Sequence, residues 1–457
     1  MITSLFPAHR VRQLSRLIRH AELRAGARNS IYSVADQVTT PVLMVFAAPY
    51  LLSKMGLEPF GVWMLVLALT GSLSVFNFGL GDSTIKFISQ YRGGNDARGM
   101  ERTFRVNLML GALLGVFAAA AMSGAAPFIA RAILSARTST FVADVRAVRL
   151  GGLILALRSI ESVLANTLRA FEDYAGASRI SICVKIAIVG SSIALVGHGR
   201  GVGAILLATA ICVALGLAAY TIGVVRILPG ISFKLEFDRS LWHRISSFGM
   251  YSWLQSVAAM TFGQADKLIV GALMGAAAAG RYSICTQLAS MVHVIVGSAF
   301  GFLFPQFSRR HEAGDLRGLT QVFRWAMALN WALTFALAFP LIVGGKQILT
   351  LWLGRAFADQ SSTLLAVLAL GYAWLSINVV PYLMLLGLGK IRFACVTSIA
   401  AGAVSVAAAV LLIPRFGLVG AGLGRIAYGA VVTLCYFEAM RTLQRKRSTM
   451  TPVGALE

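Results

Sequence analysis

Between Gly201 and Val225 the chain runs 25 residues without an acidic or basic side chain. As a helix this stretch would rise about 38 Å, enough to cross a bilayer core of ~30 Å. Only a helix satisfies its own backbone in hydrocarbon, so such a stretch dictates a transmembrane helix. Further apolar stretches, several with isolated charged side chains, lie at 30–53, 59–80, 103–125, 147–168, 178–198, 246–273, 278–304, 323–345, 361–387, 391–413 and 417–439. Composition agrees: 57% of the residues are hydrophobic and 13% charged, where soluble chains carry about 25%. The expected class is an all-α polytopic membrane protein of about 12 transmembrane helices with no long soluble domain.

Residues 1–28 hold six arginines, Arg10, Arg12, Arg16, Arg19, Arg24 and Arg28, with Val11, Leu14 and Ile18 at helical spacing. This is the pattern of a basic helix on an anionic membrane surface. It lacks the apolar core and small-residue cleavage site of a signal peptide. Assigning alternate loops to opposite sides puts about 28 of the 41 Lys and Arg with the N-terminus and about 11 on the other side. Both termini, including the tail 442–457, are therefore expected in the cytoplasm. The loop before the fourth span, with Arg131, Arg137, Arg146 and Arg149, runs against this trend. The net charge of +23 is read as this topology signal, with no nucleic-acid partner.

The chain also repeats itself. Met274-Gly275, Gly280 and Tyr282 follow Gln264-Ala265-Asp266-Lys267-Leu268-Ile269-Val270-Gly271, and their spacing echoes Met55-Gly56, Gly61 and Trp63, 219 positions earlier. A later echo pairs Gly201-Val202-Gly203-Ala204 with Leu418-Val419-Gly420-Ala421. The longest polar connection, 227–245, divides six spans from six. An even number per half makes the repeats parallel, related by an axis along the membrane normal. The expected organisation is a basic segment (1–28), an N-lobe (29–226), a cytoplasmic linker (227–245) and a C-lobe (246–441), with the two lobes enclosing a central cavity.

Cys183, Cys212, Cys285, Cys395 and Cys435 all fall in apolar spans without CxxC spacing, the pattern of small packing residues rather than disulfides or a metal site. Glycines within spans, as in Gly111-x-x-x-Gly115 and Gly420-x-Gly422-x-Gly424, mark close helix packing.

Ionisable residues inside spans cost ~2.5–3.5 kcal/mol each at mid-span, so they should face one another or a wet cavity. Arg158 lies near the middle of span four, and Glu161 three residues later shares its face. Lys185 is two turns into span five, placed either to snorkel or to reach a cavity. Asp36 lies two turns into span one. Asp266 and Lys267 are deep in span seven and, being adjacent, point about 100° apart. His293, mid-span in eight, reads as a packing histidine. The 219-residue shift maps Asp36 onto Gln255, and Asp266 and Lys267 onto Ala47 and Ala48. Equal scaffolds with unequal charges suggest a different job for each lobe.

Four motifs in order, Phe76-Asn77-Phe78-Gly79-Leu80-Gly81 leading into Ile85-Lys86-Phe87-Ile88, then Asp266 to Gly271 with Gly280 and Tyr282, then Phe304-Pro305-Gln306-Phe307-Ser308, and Ile413-Pro414-Arg415-Phe416-Gly417-Leu418-Val419-Gly420-Ala421, resemble the landmarks of bacterial polysaccharide-biosynthesis flippases. These belong to the multidrug/oligosaccharidyl-lipid/polysaccharide exporter superfamily. The resemblance spans about residues 30–440. It implies a non-enzymatic transporter of the bacterial cytoplasmic (inner) membrane that turns an undecaprenyl-diphosphate-linked oligosaccharide to the outer leaflet by alternating access. Arg158, Lys267 and Lys185 are the implied head-group cations, and Asp36, Asp266 and Glu161 the candidates for ion coupling or gating. No cofactor is implied beyond proton or sodium coupling. The partners implied are the lipid-linked oligosaccharide, membrane lipids and other polysaccharide-assembly membrane proteins. Two alternatives stand beside this reading: an ion-coupled drug/cation antiporter of the same fold, and a membrane-embedded polysaccharide polymerase or ligase. The antiporter would favour a cavity of net acid, and the enzyme a large outer loop carrying catalytic groups.

Overall fold

The computed structural model describes residues 8–73, 80–134, 140–231, 233 and 263–448, with side chains between Tyr32 and Gln444. The first motif's Phe76 to Gly79, most of the 227–245 connection, Gln255 and residues 449–457 lie outside the described residues.

The described elements are helices: α1 (Ala8–Met55), α2 (Leu57–Leu73), α3 (Leu80–Gly93), α4 (Ala97–Gly124), α5 (Ala126–Ala132), α6 (Phe141–Ala170), α7 (Tyr174–Gly197) and α8 (Val202–Ile227), then α9 (263–274). They continue with α10 (Ala276–Phe300), α11 (Leu303–Glu312), α12 (Leu316–Val343), α13 (Gly345–Leu353), α14 (Arg355–Ile377), α15 (Val379–Gly387), α16 (Ile391–Phe416), α17 (Leu418–Val432) and α18 (Leu434–Ser448). Among the described residues nine helical stretches are long and apolar enough to cross a membrane. Three expected spans differ from these nine. Span two is α2, only 17 described residues long; span four is α6, which carries Arg146, Arg149, Arg158 and Glu161; and span seven is described only from 263. A single helix runs from Ala8 to Met55, through the basic residues and span one.

Two kinds of turn join the helices. On the arginine-rich side, Asp96, Asp173 and Asp315 cap α4, α7 and α12 by accepting hydrogen bonds from the N–H groups of Gly99, Gly176 and Gly318 at 2.9, 2.9 and 2.8 Å. Each cap satisfies a donor that a helix start leaves without an internal partner. On the opposite side, Gly56 (φ 80°) and Gly275 (φ 84°) make the matching turns α1–α2 and α9–α10. A left-handed backbone is open to glycine at no steric cost.

The glycines within helices let backbones meet. A Cβ on Gly115 of α4 would stand 2.9 Å from Ser159 Cβ of α6, and one on Gly424 of α17 would stand 2.8 Å from the Ser405 carbonyl of α16. Without a hydrophobic drive between helices in lipid, such close approach supplies the van der Waals contact. The outward faces remain apolar. Val202–Ile227 has a mean hydropathy of 2.5, yet only 33% of its central window is buried, and Phe46, Phe128, Trp325 and Leu351 stand out from the surface. The bilayer completes their burial.

Helices α2 and α10 pack along each other, and α1 also touches α10. A second link runs from Trp352 of α13, whose indole N–H donates to the Val45 carbonyl of α1 at 2.8 Å.

Candidate functional site

The deep charges gather in two clusters, one in each half. In the first, the Lys185 ammonium of α7 donates to Asp36 Oδ1 of α1 at 2.5 Å and to the Asp36 carbonyl at 2.6 Å. Arg169 of α6 stands 3.8 Å from the other Asp36 oxygen. Arg158 grips Glu161 through both carboxylate oxygens at 2.8 and 3.0 Å, the one-turn pairing that the sequence spacing predicts. The Arg158–Glu161 pair and the Asp36 group of Lys185 and Arg169 share α6. Asp36 and Glu161 are buried. Two acids face three bases, leaving one positive charge in excess.

The second cluster centres on Asp266 of α9. Arg425 of α17 meets Asp266 Oδ2 at 2.5 Å, and the Tyr282 hydroxyl of α10 donates to the same oxygen at 2.7 Å. The other oxygen accepts the Lys267 backbone N–H at 2.9 Å. The Arg425 guanidinium also lies over the Tyr372 ring of α14, 5.1 Å from its centre. One carboxylate therefore ties α9, α10 and α17 together, and the arginine extends the tie to α14. Asp266 and Arg425 are 7% and 6% exposed, so neither charge can be met by water in place of the other.

Lys267 points away from this pair, as the helical angle requires. Its ammonium donates to Gln264 Oε1 at 3.3 Å, and no carboxylate among the described residues comes within ion-pair distance. The second cluster thus also holds one more basic than acidic side chain.

The structure supplies partners that the sequence reading did not find. Asp36 and Asp266 have no basic side-chain partner on their own helix, but each has one from another helix. Lys185, placed by sequence either to snorkel or to reach a cavity, is held against Asp36. Arg425 was missed because an alternate-loop count groups it with an outer loop, although it lies eight residues into the span 417–439. That depth was the available signal. Arg169 was missed because it sits in the last turn of α6, where arginine is ordinary.

A third feature is the break between α14 and α15. The Asn330 amide of α12 donates at 3.1 Å to both the Ser376 and Ile377 carbonyls at the break. His293 stands beside it, its Nδ1 3.5 Å from the Ser376 hydroxyl. Interrupted helices at membrane depth recur where transporters bind and move. Among the described residues no group of three His, Cys, Asp or Glu is placed to hold a metal, and the five cysteines are free.

Residues 51–362 match the family model described as polysaccharide biosynthesis protein. The candidate O-antigen transporter of Shigella flexneri is 20% identical over 405 residues, covering 87% of this chain and 93% of its own. The probable flippase AglR of Haloferax volcanii is 21% identical over 438 residues, covering 94% and 86%. Among solved structures, an inward-facing multidrug-resistance MATE family transporter of the MOP superfamily superposes with a TM-score of 0.71 at 16% identity, covering 92% of this chain and 100% of that one. An outward-facing structure of a MATE family transporter gives 0.60 at 15% identity, covering 93% and 96%.

Proposed function

This chain belongs to the polysaccharide biosynthesis protein family, and from that premise we propose that it is a flippase moving undecaprenyl-diphosphate-linked oligosaccharide from the cytoplasmic to the outer leaflet of the bacterial inner membrane. The observation that carries this reading is the excess of basic over acidic side chains in both buried clusters. A diphosphate entering hydrocarbon unaided would pay a prohibitive desolvation cost. Cations already held at that depth replace part of the lost hydration, while the lipid tail stays in the bilayer.

Within this reading the five named groups of the first cluster and the three of the second do different work. Lys267, free of any carboxylate among the described residues, is the primary head-group cation. Arg158, anchored by Glu161 yet 36% exposed, and Lys185 are the cations of the opposite half. Asp36 and Asp266 hold the remaining bases in place, and protonation or sodium binding at either would loosen its tie and couple transport to an ion gradient. Alternating access follows from moving the two halves about their α2–α10 contact. Both termini lie in the cytoplasm, and other polysaccharide-assembly membrane proteins are the expected partners.

The drug/cation antiporter reading shares the fold, and the MATE structures at 15–16% identity bear on fold alone. A cationic substrate would be repelled by two clusters of net positive charge.

The test is leaflet translocation in proteoliposomes with an undecaprenyl-diphosphate oligosaccharide, for the parent and for folded Lys267→Ala and Arg158→Ala. Translocation by the parent and a loss of ten-fold or more in Lys267→Ala would support the proposal. Export of a hydrophobic cation by a parent that moves no lipid-linked sugar would refute it.

A further inference from the structure

A cleft of about 410 Å³ opens between α11 and α12, sharing no lining residue with either charge cluster, and is lined by Phe300, Leu303, Gln306, Arg310, Gln321, Trp325 and their neighbours. Its wall on α12 is one helical stripe, Gln321, Val322, Trp325, Ala326 and Leu329. Eight rises of 1.5 Å from Gln321 to Leu329 make this stripe about 12 Å long. The stripe is graded. At the Gln321 end, beside the turn between α11 and α12, the cleft is faced by Gln306 and Arg310; at the Leu329 end it is faced by Phe300 and Phe302.

Three observations point to one occupant. First, the apolar end is open to the surroundings: Trp325 is 72%, Phe302 58% and Leu329 57% exposed, as suits a surface covered by acyl chains rather than by protein. Second, the Gln306 and Gln321 amides have no hydrogen-bond partner among the described residues. Arg310 commits one guanidinium nitrogen to Asp315 at 2.9 Å, leaving other N–H groups for an acceptor. Third, Arg309, Arg310, Arg317 and Arg324 outnumber Glu312 and Asp315 around the polar end. The turn also belongs to the side where basic residues concentrate, the side that faces anionic lipid.

We infer that this cleft binds an anionic phospholipid of the surrounding bilayer, its phosphate at Arg310, Gln306 and Gln321 and an acyl chain along Trp325 and Leu329. The site is separate from the translocated head group and would tie α11 to α12 at the membrane surface. The inference does not depend on which lipid-linked sugar is moved.

Native mass spectrometry of the full-length protein, purified in detergent, tests it with phosphatidylglycerol, phosphatidylcholine and an undecaprenyl diphosphate as probes. The variants are Arg310→Gln and Leu329→Trp, the second filling the apolar end without touching a charge. The expected result is a retained phosphatidylglycerol adduct on the parent, weakened about fivefold in Arg310→Gln and also weakened in Leu329→Trp, at unchanged thermal unfolding temperature. Equal retention of phosphatidylcholine, unaltered phosphatidylglycerol binding in both variants, or displacement of phosphatidylglycerol by undecaprenyl diphosphate would each overturn it. A variant that unfolds early is replaced by Gln306→Leu, read in the same way.

Discussion

Gly61 and Gly280, 219 positions apart and at matching places in the two repeats, press backbone to backbone where α2 crosses α10. A Cβ on Gly280 would stand 2.8 Å from the Leu57 carbonyl and 3.1 Å from Gly61 Cα, and one on Gly61 would run into the Ala276 carbonyl. The glycines that share a spacing in the sequence are thus the residues through which α2 and α10 touch.

Substituting either glycine must push the two halves apart. Gly280→Ala is expected to lower stability by about 1–3 kcal/mol, the range for overpacking a filled interface. Gly297→Ala on the same helix, where an added Cβ meets nothing within 4 Å, is expected to stabilise by about 0.5–1 kcal/mol. Thermal unfolding of the two variants in detergent, compared with the parent, checks the contrast in sign.

The tie between Asp266 and Arg425 predicts strong non-additivity. Removing one partner strands a buried charge, so Asp266→Leu or Arg425→Leu alone should cost about 3–5 kcal/mol. The double variant should cost clearly less than the sum, because no unpaired charge remains. A double-mutant cycle followed by thermal unfolding measures the coupling. Additive losses would show that the pair contributes nothing as a pair.

In the first cluster, Asp36→Asn leaves Lys185 and Arg169 without their carboxylate and raises the excess charge from one to two. Binding of an isoprenoid diphosphate should tighten, by about fivefold for one added unit of charge near the head group. Translocation should slow, because release becomes harder. A binding titration and a translocation assay on the same preparation separate the two effects.

Asn330→Leu removes both hydrogen bonds that satisfy the carbonyls at the α14–α15 break. Stranding buried acceptors costs about 1–3 kcal/mol, and backbone amide exchange should rise near Ser376 and Ile377 while α16 and α17 stay protected. Hydrogen-exchange mass spectrometry reads this locally.

Much of the protein was legible before any coordinates. Hydrophobic runs such as 201–225 fix a helical membrane protein because the rule they obey is one-dimensional: in lipid, each helix must satisfy its own backbone and present apolar side chains over a set length. The Arg158–Glu161 pair was legible for the same reason, since both partners sit one turn apart on one helix. The matching glycines were legible from their spacing, because only glycine permits the turn at Gly275 and the contact at Gly280. What the tertiary structure alone decided is which distant charges meet. Asp36 finds Lys185 from 149 residues away and Asp266 finds Arg425 from 159. No periodicity within a span records such a pairing, because it depends on how helices are ordered and rotated about one another. The sequence determined that buried charges exist and cannot stay alone; helix packing decided that Arg425 is locked into an ion pair while Lys267, its neighbour across Asp266, is left without a carboxylate among the described residues.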